Sequence, residues 1–300
     1  MEPWIYVTFG AAAAQTLRFM LQKHLAGGTL SAAGATFARF VYSAPLVAVL
    51  ALSYAALSGQ PVPPLPAWFW AFAGMGGIAQ ILATVFVVML FSHRNFAVGI
   101  TFKKTEVVLS AMVGFMLLGD RIDGWQTLAI LVGLAGVLLL SDAPGLAGAW
   151  PRRIVNRAAG LGLASGLFFA VSGVGYRGAA LSLPAGDAFS RAVVTLMCVT
   201  ALQTLILGAW LAWRQPGELS RVFAAWRVAG LVGLSSMAGS VCWFTAFALQ
   251  NVALVNAVGQ VELILSALAA LIVFGERIAA REWLGMAVLV GSILLLILAG

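Results

Sequence analysis

Stretches of roughly 20 apolar residues follow one another along the chain, separated by short breaks that collect the prolines and most of the charged side chains. Cut at those breaks, the chain gives ten segments, at about 4–22, 31–57, 68–91, 96–118, 125–141, 158–180, 186–212, 228–249, 252–274 and 282–298. A helix rising about 1.5 Å per residue crosses a hydrocarbon core about 30 Å thick in one such stretch. Helices are expected because the backbone must satisfy its own polar groups inside a membrane. The first segment follows an acidic residue, Glu2, and precedes no small-residue cleavage pattern, so it is expected to be retained rather than removed as a signal peptide. The longest break, 142–157, carries Pro144, Trp150 and Pro151 and falls where five segments end and five begin. The expected organisation is a first five-helix repeat over 1–141, a linker over 142–157 and a second five-helix repeat over 158–300.

The two halves are copies. Thr105-Glu106-Val107-Val108-Leu109-Ser110-Ala111, closing at Gly119-Asp120-Arg121-Ile122, returns as Val261-Glu262-Leu263-Ile264-Leu265-Ser266-Ala267, closing at Gly275-Glu276-Arg277-Ile278. Asn95 precedes segment 4 as Asn251 precedes segment 9, Phe37 and Arg39 match Phe189 and Arg191, and Trp125 and Trp283 open the last segment of each half. An odd number of helices per repeat makes the second copy enter the membrane in the opposite direction. The fold class expected is therefore an all-α polytopic membrane protein of about ten helices in two inverted repeats.

Composition agrees with that environment: 62% of the 300 residues are hydrophobic, 9% are charged, and mean hydropathy is +1.01. A net charge of +7 would suit nucleic acid, but the Lys and Arg residues sit in short loops, with no basic folded domain. Their distribution sets the expected orientation. Lys23, Arg94, Arg152, Arg153, Arg157, Arg214, Arg221, Arg227, Arg277 and Arg281 gather on one face while the other holds little beyond Arg121 and Arg177, which makes the first face cytoplasmic and puts both termini outside. The expected location is the inner (plasma) membrane of a bacterium. Cys198 and Cys242 lie within apolar segments and read as buried side chains rather than a redox pair.

Candidate chemistry lies where polar residues interrupt the apolar runs. Gly99, Lys103, Glu106, Ser110 and Gly114 form one stripe down segment 4, and Val255, Gly259, Glu262, Ser266 and Ala270 form its counterpart in segment 9. Glu106 and Glu262 fall roughly 15 Å into the core, near the midplane where inverted-repeat carriers bind their cargo. A carboxylate there is a functional candidate by default. The alternative for both is a helix-locking hydrogen bond, or, for Glu106, neutralisation of Lys103 three residues away. Lys103 and Lys104 face Gly259 and Gln260 in the other copy and either supply cavity cations or snorkel toward the cytoplasmic loop. Arg39 and Arg191 are fork-shaped donors suited to carboxylate or phosphate, or else bond within their own bundles. Trp243 lies well inside segment 8 with Ser236 and Ser240 on its face, matched in segment 3 by Gln80 and Thr84. The expected substrate-binding set is Glu106, Glu262, Lys103, Lys104, Arg39, Arg191, Trp243, Gln80, Gln260, Ser110 and Ser266. Glu262 and Glu106 are the expected proton-coupling residues, since burial favours the uncharged form of a carboxyl group. Asp120 and Glu276 are expected to end helices near water. The glycines of segments 5 and 10, such as Gly133, Gly136, Gly285 and Gly291, are expected to let helices pack closely.

Two five-segment halves, each with a fourth segment ending in Leu-Gly-Asp-Arg-Ile or Phe-Gly-Glu-Arg-Ile and followed by a Gly-rich fifth, resemble the drug/metabolite transporter superfamily, in its ten-helix EamA-type branch. The resemblance covers nearly the whole chain. It implies a secondary transporter working by alternating access, with export somewhat favoured. That branch often has a proline near the middle of each fourth helix, where this chain has Val107 and Leu263, so the resemblance implies no proline-borne gating bend here. The expected cargo is a small polar metabolite such as an amino acid or related zwitterion, moved possessing both charge and some apolar surface. An organic cation or anion, or a lipid moved by a flippase or scramblase, is the alternative. No Gly-rich loop with Lys-Ser/Thr is present to bind ATP, and His24 and His93 have no metal-ligand spacing, so neither a cofactor, a metal nor an enzymatic activity is expected. The expected partners are the solute and the bilayer, with no nucleic acid, in a monomer or homodimer.

Overall fold

The computed structural model describes residues 2–28, 30–91, 103, 105–141, 157–274 and 280–299. The described elements are all α-helical: α1 (Pro3–Ala26), α2 (Ala32–Ser58), α3 (Ala67–Phe91), α4 (Glu106–Leu118), α5 (Gly124–Ser141), α6 (Arg157–Leu181), α7 (Ala188–Arg214), α8 (Glu218–Ala224), α9 (Trp226–Leu249), α10 (Val252–Val258), α11 (Val261–Phe274) and α12 (Ala280–Ala299). Helices over Ala32–Ser58, Ala67–Leu90, Ala188–Arg214 and Trp226–Leu249, with the run Val252–Ala269, are long and apolar enough to cross a membrane, and shorter apolar helices accompany them.

Helix pairing shows the inversion directly. The first helix of each half lies against the third helix of the other, α1 on α9 and α3 on α6, while α2 packs on α7, α5 on α12 and α4 on α10. Such exchange of partners is what a two-fold axis in the membrane plane produces. Small residues set the closest approaches: a Cβ on Gly175 would stand 2.8 Å from Cα of Gly76, and one on Gly136 would stand 3.1 Å from the carbonyl oxygen of Gly285. Side chains larger than hydrogen would push these backbones apart.

Local sequence explains the helix ends. Asp187 accepts from Ser190 N–H at 2.7 Å to start α7, Ser31 accepts from Gly34 N–H at 3.0 Å to start α2, and Asn251 accepts from Leu254 N–H at 3.0 Å to start α10. Gly119 of the closing motif has φ +69° and stops α4, its N–H donating to Phe115 O at 3.1 Å while Asp120 N–H donates to Gly114 O at 3.3 Å. Asp120 does more than end a helix: its Oδ2 lies 3.3 Å from Nε of Arg177 on α6, in the opposite half.

Segment 9 departs from the single helix expected over 252–274. It breaks into α10 and α11 around Gly259 and Gln260, where N–H of Gln260, Glu262 and Leu263 donate to the carbonyls of Ala257, Gly259 and Gln260 at 3.2, 3.1 and 2.9 Å. Bonding three residues back instead of four tightens the chain into a 3₁₀ turn, a common form of mid-helix hinge. The α-helical hydrogen bonding is thus interrupted without proline. In segment 4, α4 begins at Glu106, so the two glutamates occupy the first turns of matched helices. The loop between segments 7 and 8 contains the additional short helix α8, which the apolar pattern did not suggest. Asn95, Gly99, Lys104, the linker residues 142–156 and the second closing motif, Gly275 to Ile278, lie outside the described residues.

Candidate functional site

The centre of the bundle holds a polar cluster built from both halves. Glu262, at 0% exposure, accepts from Nζ of Lys103, at 1% exposure, through Oε1 at 3.2 Å and Oε2 at 3.0 Å. Lys103 belongs to the first half and Glu262 to the second, so their ion pair joins the repeats. Nζ of Lys103 also stands 4.8 Å from the ring centre of Phe19 and 5.0 Å from that of Phe169, within cation–π reach of both.

A third donor reaches Glu262 from α1. Nε2 of Gln15 donates to Glu262 Oε2 at 3.0 Å, and the oxygen of the same amide accepts from Arg18 at 3.0 Å. Arg18 donates again to Gln22 Oε1 at 3.1 Å, and Gln22 Nε2 donates to the Ala35 carbonyl at 3.1 Å. All three side chains are buried. This chain of bonds fixes which end of Gln15 faces the carboxylate. The sequence reading missed Gln15, Arg18 and Gln22, although their spacing of three and four residues in an apolar segment is a signal of the same kind as the Glu106 stripe.

Arg39 occupies the other side of the cluster. It is buried, and its Nε donates to Ser236 Oγ at 3.0 Å, one terminal nitrogen to Thr84 Oγ1 at 3.0 Å and the other to Ser240 Oγ at 3.5 Å. With its amide nitrogen toward Ser172 Oγ at 2.5 Å, Gln80 turns its oxygen to the same fork and accepts at 2.7 and 3.2 Å. Every hydrogen-bond partner of Arg39 among the described residues is neutral. The serines matched to Gln80 and Thr84 by the repeat therefore meet them around one guanidinium.

Between these groups lies a cavity of about 40 Å³ lined by Gln15, Arg39, Gln80, Lys103, Glu106, Ser240, Trp243 and Asn256, among others. It has room for a few waters and is well below the roughly 300 Å³ of a metabolite pocket. Two aromatic pairs form its wall: Trp243 stacked on Phe247 at 5.6 Å and Tyr176 stacked on Phe244 at 4.2 Å. Trp243 rests on the break in segment 9, since a Cβ on Gly259 would stand 2.5 Å from Cη2 of its ring.

The structure divides the expected residues. It gathers Arg39, Gln80, Lys103, Glu106 and Trp243 on the cavity, with Glu262 directly behind Lys103 and Gln15. Ser110 lies beside this group and accepts from Asn256 Nδ2 at 2.9 Å, joining the fourth segments of the two halves. Ser266 is buried without a hydrogen-bond partner for Oγ among the described residues and does not line the cavity. Gln260 turns away, toward α5 and α12: a Cβ on Gly133 would stand 2.8 Å from its Oε1 and 2.7 Å from Ser292 Oγ. At about 100° per residue along a helix, Gln260 already stands off the face shared by Val255, Gly259, Glu262 and Ser266. Arg191 is half-buried and also lies outside the cavity lining, so its match to Arg39 in the repeat does not extend to its surroundings. Lys104 falls outside the described residues.

Known proteins resemble the chain at two levels. The family model of the EamA-like transporter family matches residues 2–142 and 156–298. Among solved structures, one described only as the crystal structure of a protein has a TM-score of 0.72 over 99% of this chain and 97% of the other at 17% identity, a likeness of fold. No curated protein matches the chain. With nearly all of its length accounted for by two copies of that family's module, the chain belongs to the EamA-like transporter family, a multi-pass membrane transporter of the drug/metabolite type.

Proposed function

We propose that the protein is a secondary carrier that moves a small polar metabolite, an amino acid or related zwitterion, across the bacterial inner membrane by alternating access. The observation that carries this reading is the juxtaposition at one small cavity of a guanidinium with neutral partners, Arg39, and a carboxylate, Glu106, with a second carboxylate, Glu262, behind it. A buried cation held only by hydroxyls and an amide is suited to take the cargo's carboxylate. Glu106 or Glu262 then takes the ammonium, and the ring of Trp243 packs against the apolar part. The two halves, 1–141 and 158–300, rock about this site and expose it to each side in turn.

The same geometry supports proton coupling through Glu262, with Glu106 as the second acid, because protonating Glu262 removes the charge that holds Lys103. Export is the direction favoured.

Solute flux into proteoliposomes tests the reading, with labelled amino acids, amines and organic acids, with and without a pH gradient. Saturable flux of a zwitterion that responds to the gradient and disappears in Glu262→Gln is the expected result. Flux of amines or organic acids alone would replace the zwitterion with a cation or an anion. Absence of all solute flux together with movement of labelled lipid would replace the carrier with a flippase.

A further inference from the structure

Lys103 is the point at which the two copies of the module differ most in chemistry, because Gly259 holds its place in the second copy. The receptor that its Nζ fills is assembled with care for an ammonium. Gln15 holds one carboxylate oxygen of Glu262 at 3.0 Å, Arg18 holds Gln15 in turn at 3.0 Å, and the rings of Phe19 and Phe169 flank the nitrogen at 4.8 and 5.0 Å. All of the second-half carboxylate's surroundings named here come from α1, α6 and segment 4. The cation that occupies the receptor is tethered to the opposite repeat by a flexible four-carbon stem.

A carrier must bring its empty site back across the membrane. A carboxylate stripped of its cation at membrane depth opposes that step, so a carrier that relies on cargo to neutralise its acid crosses only when loaded and acts as an exchanger. A tethered ammonium lifts that restriction. We propose, on the carrier reading given above, that Lys103 is an internal counter-ion that stands in for the cargo's ammonium on Glu262 and lets the empty carrier reorient, so that net transport is possible. Arriving cargo displaces Lys103 from Glu262, and Lys103 returns when the cargo leaves. The structure, with its cavity of only about 40 Å³, is the state in which the stand-in is seated.

Reorientation of the empty carrier is measurable without knowing the cargo. In a parent carrying Cys198→Ser, Cys242→Ser and Asn256→Cys, the one thiol lines the cavity. Its reaction with a membrane-impermeant methanethiosulfonate is followed in right-side-out and inside-out vesicles without added solute. The parent reacts from both sides. Lys103→Met reacts at least tenfold more slowly from one side, Lys103→Arg remains two-sided, and Lys103→Met with Glu262→Gln becomes two-sided again, because removing the acid removes the need for a counter-ion. Should Lys103→Met not fold, Lys103→Gln takes its place in the comparison. Two-sided reaction of the Lys103→Met protein overturns the counter-ion role and leaves the carrier standing, as does one-sided reaction that persists in the double variant. A parent that reacts from one side only overturns alternating access itself, and the counter-ion with it.

Discussion

Glu106 and Glu262 stand at the same point of the repeat and end in different company. Glu106 borders the central cavity, whereas Glu262 lies behind it, locked by Lys103 and Gln15. Nothing in the two copies of the motif distinguishes them. The difference arises because each acid faces residues of the opposite half, and those differ: Lys103 reaches Glu262 from segment 4, while the position matching Lys103 in segment 9 is Gly259, covered by Trp243. The two arginines teach the same lesson. Arg39 gathers Thr84, Ser236, Ser240 and Gln80, and Arg191, its sequence match, stays off the cavity. Duplication sets where a polar residue stands, and the residues that diverged afterwards set what it does.

The largest effect lies at the acid that joins the halves. Glu262→Gln leaves the Lys103 ammonium buried without this carboxylate and should cost about 3–5 kcal/mol of stability. Thermal unfolding in detergent reads it, and a loss under about 1 kcal/mol would mean that the ion pair does not hold the halves together.

The two positions opposite the acids come next. Gly259→Ala drives a methyl group into the Trp243 ring, where the present separation would be 2.5 Å, and should destabilise by about 1–3 kcal/mol. Gly259→Ala with Trp243→Leu should recover most of that loss. Persistence of the full loss would place the strain in the 3₁₀ turn rather than against the ring.

For the arginines, Arg39→Lys replaces a fork that meets four side chains with a single point charge. Losing about 1.5 kcal/mol of charged hydrogen bonding should raise KM for the transported solute roughly tenfold. Arg191→Lys should leave KM within about twofold, and a comparable rise in both would restore the symmetry that the geometry denies.

The smallest contrast lies at the helix caps. Ser31 starts α2 and Asp187 starts α7, the second helix of each half. The Asp187 carboxyl is held below its ordinary value, chiefly by the Ser190 N–H and with help from the Tyr54 hydroxyl. A carboxyl whose folded value is depressed stabilises above its unfolded value and loses that contribution as pH falls through the folded one. Asp187→Ala should therefore cost about 1 kcal/mol at neutral pH and less in acid, whereas Ser31→Ala should cost a similar amount with no such pH dependence. Melting curves at two pH values decide it.

Much of this architecture was legible in the chain. Ten apolar segments, the break after the fifth and the repeated Glu-x-x-x-Ser stripe together point to two inverted repeats of one membrane module. Arg39, Gln80, Lys103, Glu106 and Trp243, which line the cavity, each interrupt an apolar helix on a polar face, and that signal is local. Gln15, Arg18 and Gln22 carry the same signal in α1, but their part in the cluster depends on contacts with Glu262 and Ala35 that no local pattern shows, and Gln260, matched to Lys104 by the repeat, lies off the stripe that holds Glu262.

The sequence by itself determined the membrane character and the duplication, since these depend on local hydrophobicity and on a motif that recurs along the chain. Only the tertiary structure decided that Lys103 reaches across to Glu262, that Arg18 acts through Gln15, and that Arg39 rather than Arg191 meets the cavity. Those pairings join residues as far apart as Gln15 and Glu262, and the crossing of helices from opposite halves, not any local pattern, brings such groups within hydrogen-bond reach.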